Sequence, residues 1–156
     1  KDSRKDFVQN TVVVITPADS ELTLEKMADL KQDGLQRLAV SNPDSVPVGR
    51  YTKQALEAHD LWGDLSEIII NTQNVRQSLD YVARDEVDAG FVYATDAAIM
   101  DDKVKVQFTV PLETVVSYPI AVTATGADNE LSQQFIDYTF NEESQAILNK
   151  FGFSKP

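Results

Sequence analysis

Six consecutive β-branched residues, Thr11-Val12-Val13-Val14-Ile15-Thr16, stand near the start of the chain, and Pro17 ends the run. The run has no polar alternation, so as a strand it has no face to give to water. Its sheet must therefore be covered on both sides, which is the situation of strands in α/β proteins. The remaining pattern supplies the cover. Apolar strand-like runs at 35–40, 68–70, 89–93, 105–110 and 118–123 alternate with helical segments. Such alternation reads as βαβ units around a parallel or mixed sheet, an α/β fold.

Residues 18–34 carry Leu24, Met27 and Leu30 at a spacing of three behind Thr23, which predicts a short helix stopped by Gly34. A loop with two prolines, residues 41–50, leads into a helix over 51–59. Trp62 and Leu65 follow in a tight segment, and Trp62 reads as core. Ile68-Ile69-Ile70 predicts a short buried strand, and the cap-type residues 71–74 precede a helix over 75–84 with Val75, Leu79 and Val82 as its apolar stripe. Thr95-Asp96 is expected to cap a short helix over 97–100. Two helices, 129–139 and 141–150, begin with Asn caps and acidic first turns. The first ten residues are polar around Phe7 and predict no element.

The chain has 156 residues, enough for one domain or two small lobes, and it can bury a core without disulfides. Lys plus Arg number 14 against 25 Asp plus Glu, a formal charge of -11, which argues against a nucleic-acid partner and against a basic membrane-surface helix. No apolar run approaches the roughly 18 residues that membrane insertion requires. With no cysteine and one histidine, thiol chemistry and two-histidine zinc sites are excluded.

Ligands of parallel α/β units bind beyond the carboxyl ends of strands. Three such ends stand out: the turn after Val40 that leads to Val48 and Gly49, the turn after Ile70 that leads to Asn74 and Val75, and Tyr93. Two of them open helices, whose unpaired N–H groups and partial positive charge suit an anion without Lys or Arg. Tyr93 would add a phenolic donor, and Gly49 would let a ligand approach the backbone. Other candidates have blander readings. His59 suits a helix C-terminus, Asp101-Asp102 and Glu142-Glu143 suit a solvated surface, and Phe135, Tyr138, Ile147, Leu148 and Phe151 suit helix packing.

Several stretches together are similar to one family: residues 10–14, 37–40, 42–51, 74–76, 89–97, 118–122 and 150–153. The chain resembles the periplasmic molybdate-binding proteins of ABC importers, two-lobed solute-binding proteins of type II periplasmic-binding-protein fold. The resemblance implies that the backbone N–H groups of Val48 and Val75 and the hydroxyl of Tyr93 hold a molybdate or tungstate oxyanion, with Pro47, Gly49 and Asn74 in support. It implies no cofactor, no cation site and no catalysis. It also implies a membrane permease as partner, and a periplasmic or extracellular setting in which a lipid anchor is compatible.

The same resemblance implies a division into residues 1–18, a first-lobe segment with a hinge strand; 19–116, a second lobe with a mixed central sheet; and 117–156, a return strand with the C-terminal helices of the first lobe. The hinges are expected at residues 12–16 and 119–123. Nothing in the chain matches the family's N-terminal serine-bearing turns, so the anion cage is expected to be incomplete and binding weak or absent. Residues 12–15 with Ile120, Val122, Phe135, Ile136, Tyr138, Ile147 and Phe151 are then expected at an exposed apolar surface, which favours a homodimer, including one with swapped elements. A regulatory effector-sensing module of similar two-lobed fold is the alternative function.

Overall fold

A computed structural model describes residues 3–156. Its strands are β1 (Lys5–Asn10), β2 (Val12–Pro17), β3 (Leu38–Ser41), β4 (Ile69–Thr72), β5 (Ala89–Tyr93), β6 (Val104–Thr109) and β7 (Val116–Ile120). Its α-helices are α1 (Pro47–Ala58), α2 (Val75–Ala83), α3 (Ala94–Ile99), α4 (Glu130–Thr139) and α5 (Glu142–Lys150). The chain forms two compact units. One is Thr11–Thr114; the other combines the residues up to Asn10 with Val115–Pro156.

In the Thr11–Thr114 unit, a five-stranded mixed sheet runs in the order β4-β3-β5-β2-β6. β3 is parallel to both β4 and β5, whereas β2 is antiparallel to both β5 and β6. All six residues of β2 are buried. Its side chains alternate between two core layers, as a pleated strand requires. Val12 and Val14 pack in one layer with Leu38, Val40, Phe91 and the α1 residues Val48, Ala55 and Leu56. Val13 and Ile15 pack in the other with Ala39, Val92 and the α2 residues Leu79 and Val82. Helices α1 and α2 thus cover opposite faces of the sheet.

The expected division lies at residues 18 and 116. Residues 12–15, expected at an exposed surface, are buried. A strand with no polar face needs apolar cover above and below the sheet, which the two core layers give β2. The unit boundaries fall instead after Asn10 and after Thr114.

Other expectations shift for local reasons. Residues 18–34 contain no α-helix but a 3-10 helix, Met27–Lys31. The spacing of three that joins the buried Leu24, Met27 and Leu30 is the period of a 3-10 turn rather than of an α-helix. Asp29 accepts the Glu25 and Lys26 N–H groups, and Gln107 Oε1 accepts the Leu24 N–H, so side chains replace a longer backbone ladder. β4 is an edge strand rather than a buried one, with Ile70 exposed. α1 starts at Pro47, a residue suited to the first helical position because its missing N–H would be unpaired there anyway.

In the other unit, β1 pairs antiparallel with β7. Val8, Val116 and Ile136 are buried, and the buried Gln145 donates to the Phe7 and Thr139 carbonyls. Residues 119 and 120 lie inside β7. Asn129 and Asn141 cap α4 and α5 by accepting the N–H groups of Leu131 and Ser144. Ile136 is buried, contrary to expectation, while Phe135, Tyr138, Ile147 and Phe151 are exposed, Phe135 at 62%.

Gly49 is fixed by packing. A Cβ there would stand 2.1 Å from the Ser41 carbonyl oxygen and 2.9 Å from the Asn42 carbonyl carbon. Gly63 has nothing within 4 Å of the same position. Gly49→Ala should therefore cost about 3 kcal/mol through overpacking, and Gly63→Ala should be near neutral. Urea denaturation checks both.

Candidate functional site

Parallel pairing sends β3, β4 and β5 in one direction, so their carboxyl ends share one edge of the sheet. Ser41 pairs with Thr72, and Ala39 with Gly90, so Tyr93 extends slightly past the end of β3. With strands about 4.8 Å apart, the ends of β4 and β5 on either side of β3 are about 10 Å from one another. Each expected site residue belongs to this edge: Val48 follows β3, Val75 follows β4 and Tyr93 ends β5.

The beginning of α1 keeps donors available. Val46 is its N-cap and contributes no side-chain acceptor, while Pro47 has no N–H. The Val48 side chain is buried in the core. Its N–H, and that of Gly49, are among the groups a helix leaves unpaired in its first turn. Gly49 serves this arrangement differently from the way its residue type suggests. The backbone that approaches it is that of Ser41 and Asn42, so it seats α1 on the end of β3.

At α2, Asn74 Oδ1 accepts the Gln77 N–H at 2.9 Å, and Gln77 Oε1 accepts the Gln73 N–H at 2.7 Å. This reciprocal cap consumes the donors of Gln73 and Gln77 and leaves the first-turn N–H groups of Val75 and Arg76 toward the helix end. Asn74 therefore shapes the helix start. Val75 and Tyr93 both pack against the core layer that contains Val48.

Tyr93 is half-buried and is itself the N-cap of α3, which starts one turn earlier than the Thr95-Asp96 cap implied. Asp96 Oδ2 accepts the Tyr93 N–H at 3.3 Å. Burial pushes the Asp96 carboxyl above its ordinary value, against the opposing pull of the Tyr93 N–H and the nearby Arg76 charge. That effect of Arg76, at the second position of α2, places the start of α2 within electrostatic reach of the start of α3. Residue patterns missed this Asp96–Arg76 neighbourhood. They also missed three buried hydroxyls, Ser41, Thr72 and Ser78, at the same edge.

His59 ends α1, exposed, with Nδ1 2.8 Å from the Ala55 carbonyl oxygen. Among the described residues no group of three His, Asp or Glu side chains could hold a metal ion, and no helix is long and apolar enough to cross a membrane. A cavity of about 310 Å³ is lined by α1 residues including Tyr51 and Glu57 and by residues 111–114, and none of Val48, Val75 or Tyr93 lines it.

The family described as bacterial extracellular solute-binding protein matches residues 1–154. The chain belongs to this family. A putative ABC transporter substrate-binding lipoprotein of Bacillus subtilis, YvgL, is 30% identical over 99% of the chain. The molybdate-binding protein ModA of Escherichia coli is 33% identical over 97% of it. The chain spans 58% of the first relative's length and 61% of the second's. The substrate-binding domain of a putative molybdenum ABC transporter from Clostridium difficile superposes with a TM-score of 0.91 at 30% identity, covering 99% of this chain and 67% of that one. The solute-binding protein thus has the type II periplasmic-binding-protein fold.

Because the Asp96 carboxyl is raised in the folded state, that state favours its protonated form. The resulting stabilisation is fully present below the ordinary value of 3.8 and is lost as pH rises through the higher folded value. Asp96→Asn should flatten this segment of the stability–pH curve while an amide oxygen still accepts the Tyr93 N–H. Thermal melts of both proteins from pH 3 to 7 check it; parallel curves would contradict it.

Proposed function

We propose that this protein is the solute-binding component of an ABC importer and that it takes up molybdate or tungstate at the shared edge of β3, β4 and β5. The observation that supports the reading is that two helix starts with unpaired first-turn N–H groups and one strand-end tyrosine follow three neighbouring parallel strands. The names of ModA and of the Clostridium difficile protein supply the ligand class. Val48 and Val75 donate their backbone N–H groups to the oxyanion, and Tyr93 donates its hydroxyl. Pro47, Gly49 and Asn74 set the backbone from which these donors project.

Neutral donors fit such a ligand in an acidic protein. The charge of -11 is spread over the surface, where salt screens it within about 8–10 Å. Hydrogen bonds to the dianion act at about 3 Å and need no counter-charge. An oxyanion of five heavy atoms reaches at best about -7.5 kcal/mol at the usual ceiling per atom, which is micromolar affinity. Further charge-assisted bonds at about 1.5–3 kcal/mol each would be needed to go lower. With two amides and a phenol as donors, this chain is expected to bind weakly.

In this reading the reaction is binding and release, with no catalytic group and no cofactor. A membrane permease receives the ligand. The setting is periplasmic or extracellular, as the family description indicates, and a lipid anchor like that named for YvgL is compatible with it. A homodimer draws its support from the exposed Phe135, Tyr138, Ile147 and Phe151. Light scattering should give twice the monomer mass, and a monomer at high concentration would remove this part of the proposal.

Isothermal titration tests the ligand directly. Molybdate and tungstate should bind with similar affinity and sulfate more weakly. Tyr93→Phe should weaken molybdate binding by about 1.5–3 kcal/mol, whereas Asp101→Asn should leave it unchanged. No heat with any tetrahedral oxyanion would refute the proposal.

A further inference from the structure

Three hydroxyls that the proposed anion contacts do not use lie beneath the two helix starts. Ser41 closes β3, Thr72 closes β4, and Ser78 belongs to the first turn and a half of α2. All three are buried. Thr72 Oγ1 lies 2.6 Å from Ser78 Oγ and 3.2 Å from Ser41 Oγ, and the two serine oxygens are 3.4 Å apart. The Thr72 hydroxyl is also 3.2 Å from the Asn74 carbonyl oxygen, at the N-cap of α2. A buried hydroxyl must find partners, and these three find them chiefly in one another.

The cluster is joined to α1 from the other side. The Ser41 carbonyl is the surface on which Gly49 rests. The Asn42 N–H, one residue on, donates to the Thr72 carbonyl at 2.8 Å. A continuous series of contacts therefore runs from the first turn of α1 through Ser41 and Thr72 to Ser78 and Asn74 of α2. Apolar side chains of the same volume would fill this space without fixing a direction, whereas hydrogen bonds are directional.

We infer that Ser41, Thr72 and Ser78 form a strut that sets the spacing and orientation of the α1 and α2 starts, and with them the Val48 and Val75 N–H groups. They are positioning residues; none of them touches the ligand. The inference rests on the oxyanion reading for its functional meaning, but the mechanical coupling of the two helix starts is measurable without any ligand.

The test uses isotope-labelled protein with backbone amide shifts read by NMR, alongside molybdate and sulfate titrations. Thr72→Val, which keeps the volume and removes the hydroxyl, should move the Val75 and Val48 amides together. It should also raise the molybdate Kd about tenfold and narrow the molybdate-to-sulfate ratio. Thr72→Ser, which restores the hydroxyl, should recover both readouts, as a loss of packing alone would not allow. If Thr72→Val does not fold, Ser78→Ala removes one link of the cluster and is read in the same way. A Val75 shift with Val48 unmoved, or an unchanged molybdate Kd in a protein that binds molybdate, overturns the strut. If the unsubstituted protein binds neither anion while the two amides still move together, the strut stands and the oxyanion reading falls.

Discussion

Parallel pairing of β3 with β4 on one side and β5 on the other constrains the rest of the site. Parallel neighbours cannot be joined by a hairpin, so the chain must cross back over the sheet between them. Here α1 makes the β3-to-β4 crossing on one face, and α2 makes the β4-to-β5 crossing on the other. Both helices consequently begin at the edge where the strands end. Unpaired N–H groups and the positive ends of two helix dipoles gather there as a product of connectivity.

The local chemistry keeps that edge receptive. Val46 leaves α1 without a side-chain cap, and Asn74 caps α2 at its third turn position while sparing the first. Gly49 lets α1 descend onto the Ser41 carbonyl closely enough that any side chain would collide. Asp96, in the first turn of the short α3, takes the Tyr93 N–H. Arg76 offsets part of that carboxylate's charge. The edge is thus polar and rich in backbone donors, with Arg76 beside it.

Much of this was legible in the residue order. The β-branched run at 11–16 announced a strand buried on both faces, and the alternation of apolar runs announced crossovers; β5 and α2 fall almost where the pattern put them. The same three strand ends follow from topology alone once the strands are assigned. What escaped was what one-dimensional pattern cannot carry. β1 is a strand because β7 pairs with it, although its own residues are mostly polar. The spacing of Leu24, Met27 and Leu30 fits two helix types, and side-chain acceptors from Asp29 and Gln107 decided for the shorter. The partners of β2, β5 and β6, are roughly 75 to 95 residues away in sequence, a distance over which residue pattern names no neighbour. The hydroxyl trio at the site is likewise assembled from residues whose types, singly, say nothing.

A crystal structure of the protein grown with molybdate tests the central claim most directly. The account places ligand oxygens within about 3 Å of the Val48 and Val75 backbone nitrogens and of the Tyr93 hydroxyl. An anion held instead by arginine or lysine side chains elsewhere, with these two nitrogens bonded to water, would contradict it.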